Sequence, residues 1–513
     1  WYARLSMPAE PKGEGGRLQR LGMPLFVVLA VLSSAPVWLV RYPPLQDLPD
    51  HLATIRVLHS LHDPAFGFDR ELTASFRETP YMAYYVLVDA LSYVLGLRGA
   101  NVAVMSASLA GTPLAIWAFL RATGRDPRAA LLAIPLLYNA MWMLGLLPFT
   151  LGMALFFLAL ALAAIHVERP SRRSALAFGG VTVLLLLTHL IPFALFGLAL
   201  PTLLPWRDLR RAFRAALPTA PALGLLGWYT LFTQTGEVLR QGAPTPAPPP
   251  AAVIGRAYSW STNILVGAAD EWCFIALALL VLAAFCVGAP RPQPRHGALF
   301  FLVPMACFLL MFLTPDGRGS IMLLSQRFPI LFLYTLVPCV PWPREGRLGS
   351  AFTAAAAAVA IAAVVAVSVS FVQVEARELG DFDEALAAME PKKHVAALVF
   401  DANSAIVRSA AFVQFVSYYQ VEKGGVVEYS SFGKVHNPVG FKPGAAPPTG
   451  TPPPFDLIPT HIRMDQLYPY FDYVLVRGEG FHPPAGTFRL AWEGSRWAVW
   501  SREPATAGVT KTD

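Results

Sequence analysis

The sequence predicts a polytopic α-helical membrane protein of about 11 spans with an extracytoplasmic α/β domain at its C-terminal end. Three observations predict it. The 513 residues are 55% hydrophobic and 14% charged, with a mean hydropathy of +0.48; a soluble chain carries roughly a quarter charged residues. Arg and Lys fall in short clusters between apolar runs, so the formal net charge of +7 is a positive-inside pattern and excludes a nucleic-acid partner. From residue 372 the composition becomes that of a soluble domain. Cys273, Cys286, Cys307 and Cys339 lie in apolar runs, without metal-ligand spacing or a disulfide framework.

Residues 1–20 read as a cytoplasmic segment. The chain begins at Trp1, and Met7 is a candidate initiator. Arg17 and Arg20 precede the apolar run 21–40, which is too long for a typical signal-peptide core and lacks a convincing small-residue cleavage site. It reads as an uncleaved anchor with its N-terminus inside.

A first outer loop follows over 41–99. It opens Arg41-Tyr42-Pro43-Pro44-Leu45-Gln46-Asp47-Leu48-Pro49-Asp50-His51. Three prolines disfavour continuing the helix, since each lacks an N–H and restricts the residue before it. The acidic pair is therefore expected in a loop at the water boundary. Capping of a helix beginning at His51 explains Asp50 alone; the cluster with Asp47 and His51 points to chemistry. Residues 80–97 are aromatic and apolar but interrupted by Asp89, and their tyrosines suit an interfacial helix. With this segment at the outer interface, each later basic cluster falls inside.

The remaining spans are expected over 100–120, 129–144, 148–165, 174–188, 191–204, 215–232, 272–287, 299–313, 322–340 and 350–371. Several are shorter than the ~20 residues of a full crossing. The turns at 145–148 and 189–192 are therefore expected inside the protein, where irregular backbone is tolerated. Arg121 to Arg128, Glu168 to Arg173, Arg207 to Arg214, Arg291 with Arg295, and Arg344 with Arg347 mark the inner ends. Residues 241–250 are proline-rich and cannot form an ordinary helix. An odd span count puts the domain 372–513 outside. In it, 375–389 has amphipathic helical spacing, 395–400 and 472–476 read as strands, 410–419 as a helix, 489–492 with 496–500 as a hairpin, and 437–459 as loop.

Four polar sets converge on the outer face in this topology: Asp47, Asp50 and His51; the turn around Asn139, Trp142 and Gly145; His189; and Arg318 with Gln326 and Arg327. His189 reads equally as a helix–helix hydrogen bond, and Arg318 as a solvated loop residue. Arg327 lies in an apolar run, where an unpaired Arg costs roughly 2.5–3.5 kcal/mol, so it calls for a carboxylate or a lipid phosphate. An acidic pair and an arginine on one face of an apolar body suit a lipid-linked phosphate substrate. A carboxylate would act as general base, or the pair would hold a divalent cation, Mg or Mn.

The chain resembles the GT-C superfamily of polytopic glycosyltransferases, which includes bacterial relatives of protein mannosyltransferases and aminoarabinose transferases. The resemblance rests on one N-terminal span followed by an outer loop opening Gln46-Asp47-Leu48-Pro49-Asp50-His51. It rests also on Thr79-Pro80-Tyr81-Met82-Ala83-Tyr84-Tyr85, like that family's interfacial helices, and on a many-spanned body with an outer domain. It covers the chain to about residue 371. The resemblance implies a polyprenyl-phosphate sugar donor, a cell-envelope acceptor and inverting transfer on the periplasmic side of the bacterial inner membrane. Asp50, then Asp47, best matches the family's first-loop carboxylate. The family's second acidic residue has no counterpart here, where the corresponding turn offers Asn139; His189 or His51 is left for that role. The rival reading is a non-catalytic scaffold or a component of lipid or polysaccharide translocation.

Overall fold

The computed structural model describes residues 15–288, 297–319, 321–344, 346–428, 430–434, 437–448, 458–461 and 463–504, with backbone alone for 15–22 and 465. Met7, Arg291, Arg295 and the side chains of Arg17 and Arg20 lie outside that description.

The N-terminal run is divided. Helix α1 (Gly15–Leu32) ends where Ser33 and Ser34 turn their hydroxyls back onto the Ala30 and Val31 carbonyls, and α2 (Ala35–Trp38) restarts with Pro36 in its first turn. Helix α3 (Leu48–Ser60) begins inside the acidic stretch, and strand β1 (Leu72–Ala74) follows. Helix α4 (Ala83–Ala122) is broken at Gly96, whose φ of 68° lies outside helical space. The break divides the tyrosine-rich segment from the long apolar helix after it, as the sequence predicts. Asp89, the charge within that segment, pairs with His59 at 2.8 Å.

Residues 129–144, expected as one span, form no continuous helix. Two 3-10 turns, Pro127–Ala133 and Pro135–Leu137, precede the short α5 (Ala140–Met143). Pro135 removes a helical donor, and burial of nearly the whole stretch inside the protein makes the irregular backbone tolerable. Then come α6 (Leu147–Glu168), α7 (Arg172–Thr188), α8 (Leu190–Ala199), α9 (Leu209–Ala216), α10 (Ala220–Phe232) and α11 (Gln234–Gln241). The proline-rich stretch is non-helical until α12 (Pro250–Ser259). Helices α13 (Ala269–Val287) and α14 (Gly297–Leu313) lead to the hairpin of β2 (Gly317–Arg318) and β3 (Ile321–Met322). The expected span 322–340 contains only the nine-residue α15 (Phe328–Leu336) between 3-10 turns, because Pro329 and Pro338 confine it. Helix α16 (Arg347–Val374) closes the body.

Among the described residues, four helices, α4, α6, α13 and α16 with its extension to Leu379, are long and apolar enough to cross a membrane; Met23–Leu32, Leu190–Leu203 and Gly297–Leu313 are shorter apolar helices. Helix α6 is at the centre, packed between α4 and α7, and α13 lies along α16.

The expected helix over 375–389 is interrupted. A π turn, Glu375–Leu379, extends α16 to Gly380 (φ 69°), and α17 (Phe382–Ala387) starts anew. Strand β4 (His394–Val399), α18 (Ser417–Lys423), β5 (Val426–Val427), β6 (Val439–Phe441), α19 (Met464–Leu467), β7 (Tyr473–Arg477), β8 (Phe488–Glu493) and β9 (Trp497–Arg502) follow. The expected helix 410–419 thus begins only at Ser417, and a turn fills 411–416. Five strands form one mixed sheet in the order β5-β4-β7-β9-β8, parallel up to β7 and antiparallel beyond it. Alternation puts Val395, Ala397, Val399 and Leu475 into the main core and Ala396, Leu398, Val474 and Val476 under α19, so both faces are covered.

The stretch expected as loop over 437–459 contains β6, which pairs antiparallel with β1 of the first loop, Thr73 opposite Gly440. Helix α3 also packs on α18. Arg98 pairs with Glu422, Arg56 Nε donates to the Val421 carbonyl at 2.9 Å, and His394 Nε2 meets Glu71 at 2.8 Å. The C-terminal domain is therefore closed directly onto the first loop.

Candidate functional site

The acidic pair sits in the first turn of α3. Asp47 occupies the N-cap position without making a side-chain capping bond. Asp50 is three residues further on, so it does not cap a helix starting at His51. Nor is it at a water boundary: it is 5% exposed. Its carboxylate accepts the Ser431 backbone N–H at 3.0 Å on Oδ1 and the Ser431 hydroxyl on Oδ2. Asn437 Nδ2 donates to Ser431 Oγ at 2.6 Å and to Thr54 Oγ1 at 3.0 Å, and Thr54 donates to the Asp50 carbonyl. Asp47 Oδ1 accepts from Gln414 Nε2 at 3.0 Å. Both acids are thus held by the C-terminal domain.

The buried turn after α5 positions this end of α3. Gln46 and Asp47 donate their N–H groups to the Met143 and Leu144 carbonyls, each at 3.1 Å. Gly145 has φ 78°, and a Cβ there would stand 2.7 Å from Asp47 N, so both conformation and space require glycine. His51 Nε2 reaches the Gly145 carbonyl at 3.1 Å and Nδ1 the Tyr85 hydroxyl at 2.9 Å. Burial lowers the His51 pKa to about 4, so the ring is neutral at pH 7. A carbonyl only accepts, which puts the proton on Nε2 and makes Nδ1 the acceptor of the Tyr85 O–H. His51 is a positioning group between α4 and the Gly145 turn.

His189 breaks the chain between α7 and α8, as an extended residue whose Nδ1 accepts the Ile191 N–H at 3.1 Å. Its ring lies edge-on to Tyr81 (5.1 Å) and Phe149 (5.4 Å). Arg327 places its guanidinium 5.9 Å from the same Phe149 ring. Arg327 is buried, its Nε has no hydrogen-bond partner, and no carboxylate pairs with it among the described residues. His189 and Arg327 therefore both border the Phe149 ring. Gly145 and Phe149 are four residues apart, one facing His51 and the other His189; Tyr81 and Tyr85 are related in the same way.

The other expected residues do not join this arrangement. Asn139 caps α5: its oxygen accepts the Trp142 N–H and its amide donates to the Leu136 and Leu137 carbonyls, which consumes the side chain in the turn. Gln326 is buried and faces a cavity shared with Arg256, Trp260 and Asp316. Arg318 belongs to the hairpin bridged to Pro244, donating to the Arg240 carbonyl at 3.4 Å. Gln414, Ser431, Tyr81 and Phe149 are additions the sequence reading missed. No three His, Cys, Asp or Glu side chains gather to hold a metal among the described residues, and Ser431 already bonds both oxygens of Asp50.

Fold and site define a many-helix membrane body with an α/β domain seated on an acidic first loop. The crystal structure of ArnT from Cupriavidus metallidurans in the apo state is similar, with a TM-score of 0.51 and 12% identity over 97% of this chain and 100% of that one. The chain therefore has a GT-C-like fold. No protein-family model and no curated protein sequence matches it.

Proposed function

We propose that the protein is a GT-C-type glycosyltransferase that moves a sugar from a polyprenyl-phosphate donor to a cell-envelope acceptor, with inversion, at the outer face of the bacterial inner membrane. In this reading the N-terminus is inside, the body crosses 11 times, and the C-terminal domain is outside. The observation that carries it is the buried Arg327, which has no carboxylate partner among the described residues and borders Phe149, four residues after the Gly145 turn that holds the acidic helix end. A buried guanidinium without a counter-ion is costly, and a donor phosphate supplies one in bidentate geometry. Asp50 takes the proton of the acceptor hydroxyl as its oxygen bonds to the anomeric carbon. The bond from that carbon to phosphate breaks, and polyprenyl phosphate leaves with its charge on Arg327. Ser431 Oγ already occupies a hydroxyl position on Asp50 Oδ2. His51 and Asp47 hold the helix end that presents Asp50.

The test is sugar transfer from purified lipid-linked donor. Asp50→Asn keeps size and loses basicity, and turnover is expected to fall ~10²-fold or more with lipid retention intact. Near-normal turnover moves the base to Asp47; normal turnover in both Asn variants overturns the reading in favour of a scaffold. Activity with and without chelator, restored or not by Mg or Mn, decides whether a cation takes part.

A further inference from the structure

The end of α6 opposite the candidate site carries a surface that the proposed reaction does not use. Helix α6 has 22 residues, about 33 Å at 1.5 Å per residue, so its two ends lie at opposite faces of a bilayer. Its N-terminal end presents Phe149 to His189 and Arg327. At its C-terminal end, Arg169, Arg172 and Arg173 are exposed in the turn into α7. Helix α9 packs on this end of α6, tied by Arg211 Nη2 to the Val167 carbonyl at 3.4 Å.

Helix α9 has three faces. Ala212 and Ala215 are buried against the protein. At the 3.6-residue period, Leu209, Phe213 and the following Leu217 line a second side, and they are 71%, 70% and 54% exposed. Arg210 and Arg214 line the third, continued by Arg211, and all three are exposed. Asp208 caps the helix through the Arg211 N–H at 3.0 Å, and the exposed Trp206 precedes it, its indole N–H on the Pro201 carbonyl.

A helix with one face for protein, one for hydrocarbon and one of arginines fits the plane of a membrane interface. We infer that α9 with the Arg169–Arg173 turn is a binding surface for anionic phospholipid headgroups, in the leaflet opposite the candidate site. Charge complementarity selects the occupant, because only Glu168 and Asp208 offset the seven arginines of residues 168–173 and 207–214. Phe213 and Leu209 enter the acyl boundary, and the guanidinium groups reach the phosphates. Topological bias alone would need the positive charge but not a lipid-facing stripe beside it.

The experiment uses the full chain in neutral detergent, titrated with phosphatidylglycerol or with phosphatidylcholine of the same acyl chains, and counts bound lipid by native mass spectrometry. Phosphatidylglycerol is expected to be retained preferentially and released by salt. An exposed arginine at an anionic surface contributes on the order of fivefold, so the triple variant Arg210→Gln/Arg211→Gln/Arg214→Gln should lose at least tenfold, with phosphatidylcholine retention unchanged. The corresponding triple Lys variant should keep the preference. Equal retention of the two lipids by the unaltered chain, or of phosphatidylglycerol by the unaltered chain and the Gln variant, overturns the inference. Should the Gln variant not fold, salt-insensitive retention by the unaltered chain overturns it equally.

Discussion

Ser431 holds both oxygens of the Asp50 carboxylate, one through its backbone N–H at 3.0 Å and one through its hydroxyl. A residue of the C-terminal domain, 381 positions away in the chain, thereby takes one acceptor position on each oxygen of the proposed general base. Removing the hydroxyl takes away its bond to Oδ2 and leaves the backbone bond to Oδ1. We expect Ser431→Ala to stay folded, with a melting temperature a few degrees lower, since a buried hydrogen bond to a charged group is worth roughly 1.5–3 kcal/mol. In steady-state transfer, we expect its acceptor KM to fall severalfold at unchanged kcat. A raised KM would show that Ser431 positions Asp50 and does not compete with the acceptor.

His51 ties pH to stability. Its folded pKa, about 4, lies below the ordinary histidine value of ~6.5, so on acidification the unfolded chain takes up the proton first. The stability held by the neutral ring is complete above about 6.5 and declines as pH falls towards 4. Melting temperatures at pH 7 and pH 4.5 should therefore drop further in the unaltered chain than in His51→Gln, whose amide keeps a donor for the Gly145 carbonyl. An equal drop in both would assign the acid sensitivity to other groups.

The acidic cluster was legible because charges beside an apolar run are costly, and Pro49 together with Pro43 and Pro44 marks where the first span stops. His189 was legible for the same reason. Hydropathy, however, reports burial and not backbone continuity, so the enclosed 129–144 reads as one continuous helix although Pro135 stands inside it. Asp50 was expected in a wet loop because nothing local indicates that a distant serine covers it. Ser431 and Gln414 carry no chemical signature in sequence. Strand β6 is three residues long, among prolines and glycines, and only its pairing with β1 makes it a strand.

The clamp between domain and loop has its own pH dependence. His394 meets Glu71, stacks on Tyr470 at 4.3 Å, and gives its backbone N–H to Asp472 at 3.0 Å. Burial alone would lower the His394 pKa; the hydrogen bond and charge of Glu71 outweigh it and hold it above the ordinary value. The contribution of the pair is complete below about 6.5, declines as pH rises, and is gone once pH passes the raised folded value. Hydrogen exchange at Leu72–Ala74 and Val439–Phe441, corrected for intrinsic rate, should therefore speed up between pH 6 and 8.5. His394→Gln should exchange at one corrected rate across that range. A pH-dependent corrected rate in the variant would place the switch elsewhere.

Arg327 separates the anion-binding role from a packing role. Its guanidinium lies 5.9 Å from the Phe149 ring, and its Nε lacks a hydrogen-bond partner among the described residues. Alanine removes a buried charge that no carboxylate among the described residues neutralises, so Arg327→Ala should melt no lower than the unaltered chain, within about 1 kcal/mol. The same change should weaken retention of polyprenyl phosphate at least tenfold, the scale of losing a bidentate charged contact. Lysine supplies a point charge without the planar fork, so Arg327→Lys should recover part of the affinity and not all. Retention is measured by mass spectrometry of the lipid that co-purifies with each variant. If Arg327→Ala retains the lipid as well as the unaltered chain and melts several degrees lower, the arginine is a packing residue and the phosphate is held elsewhere.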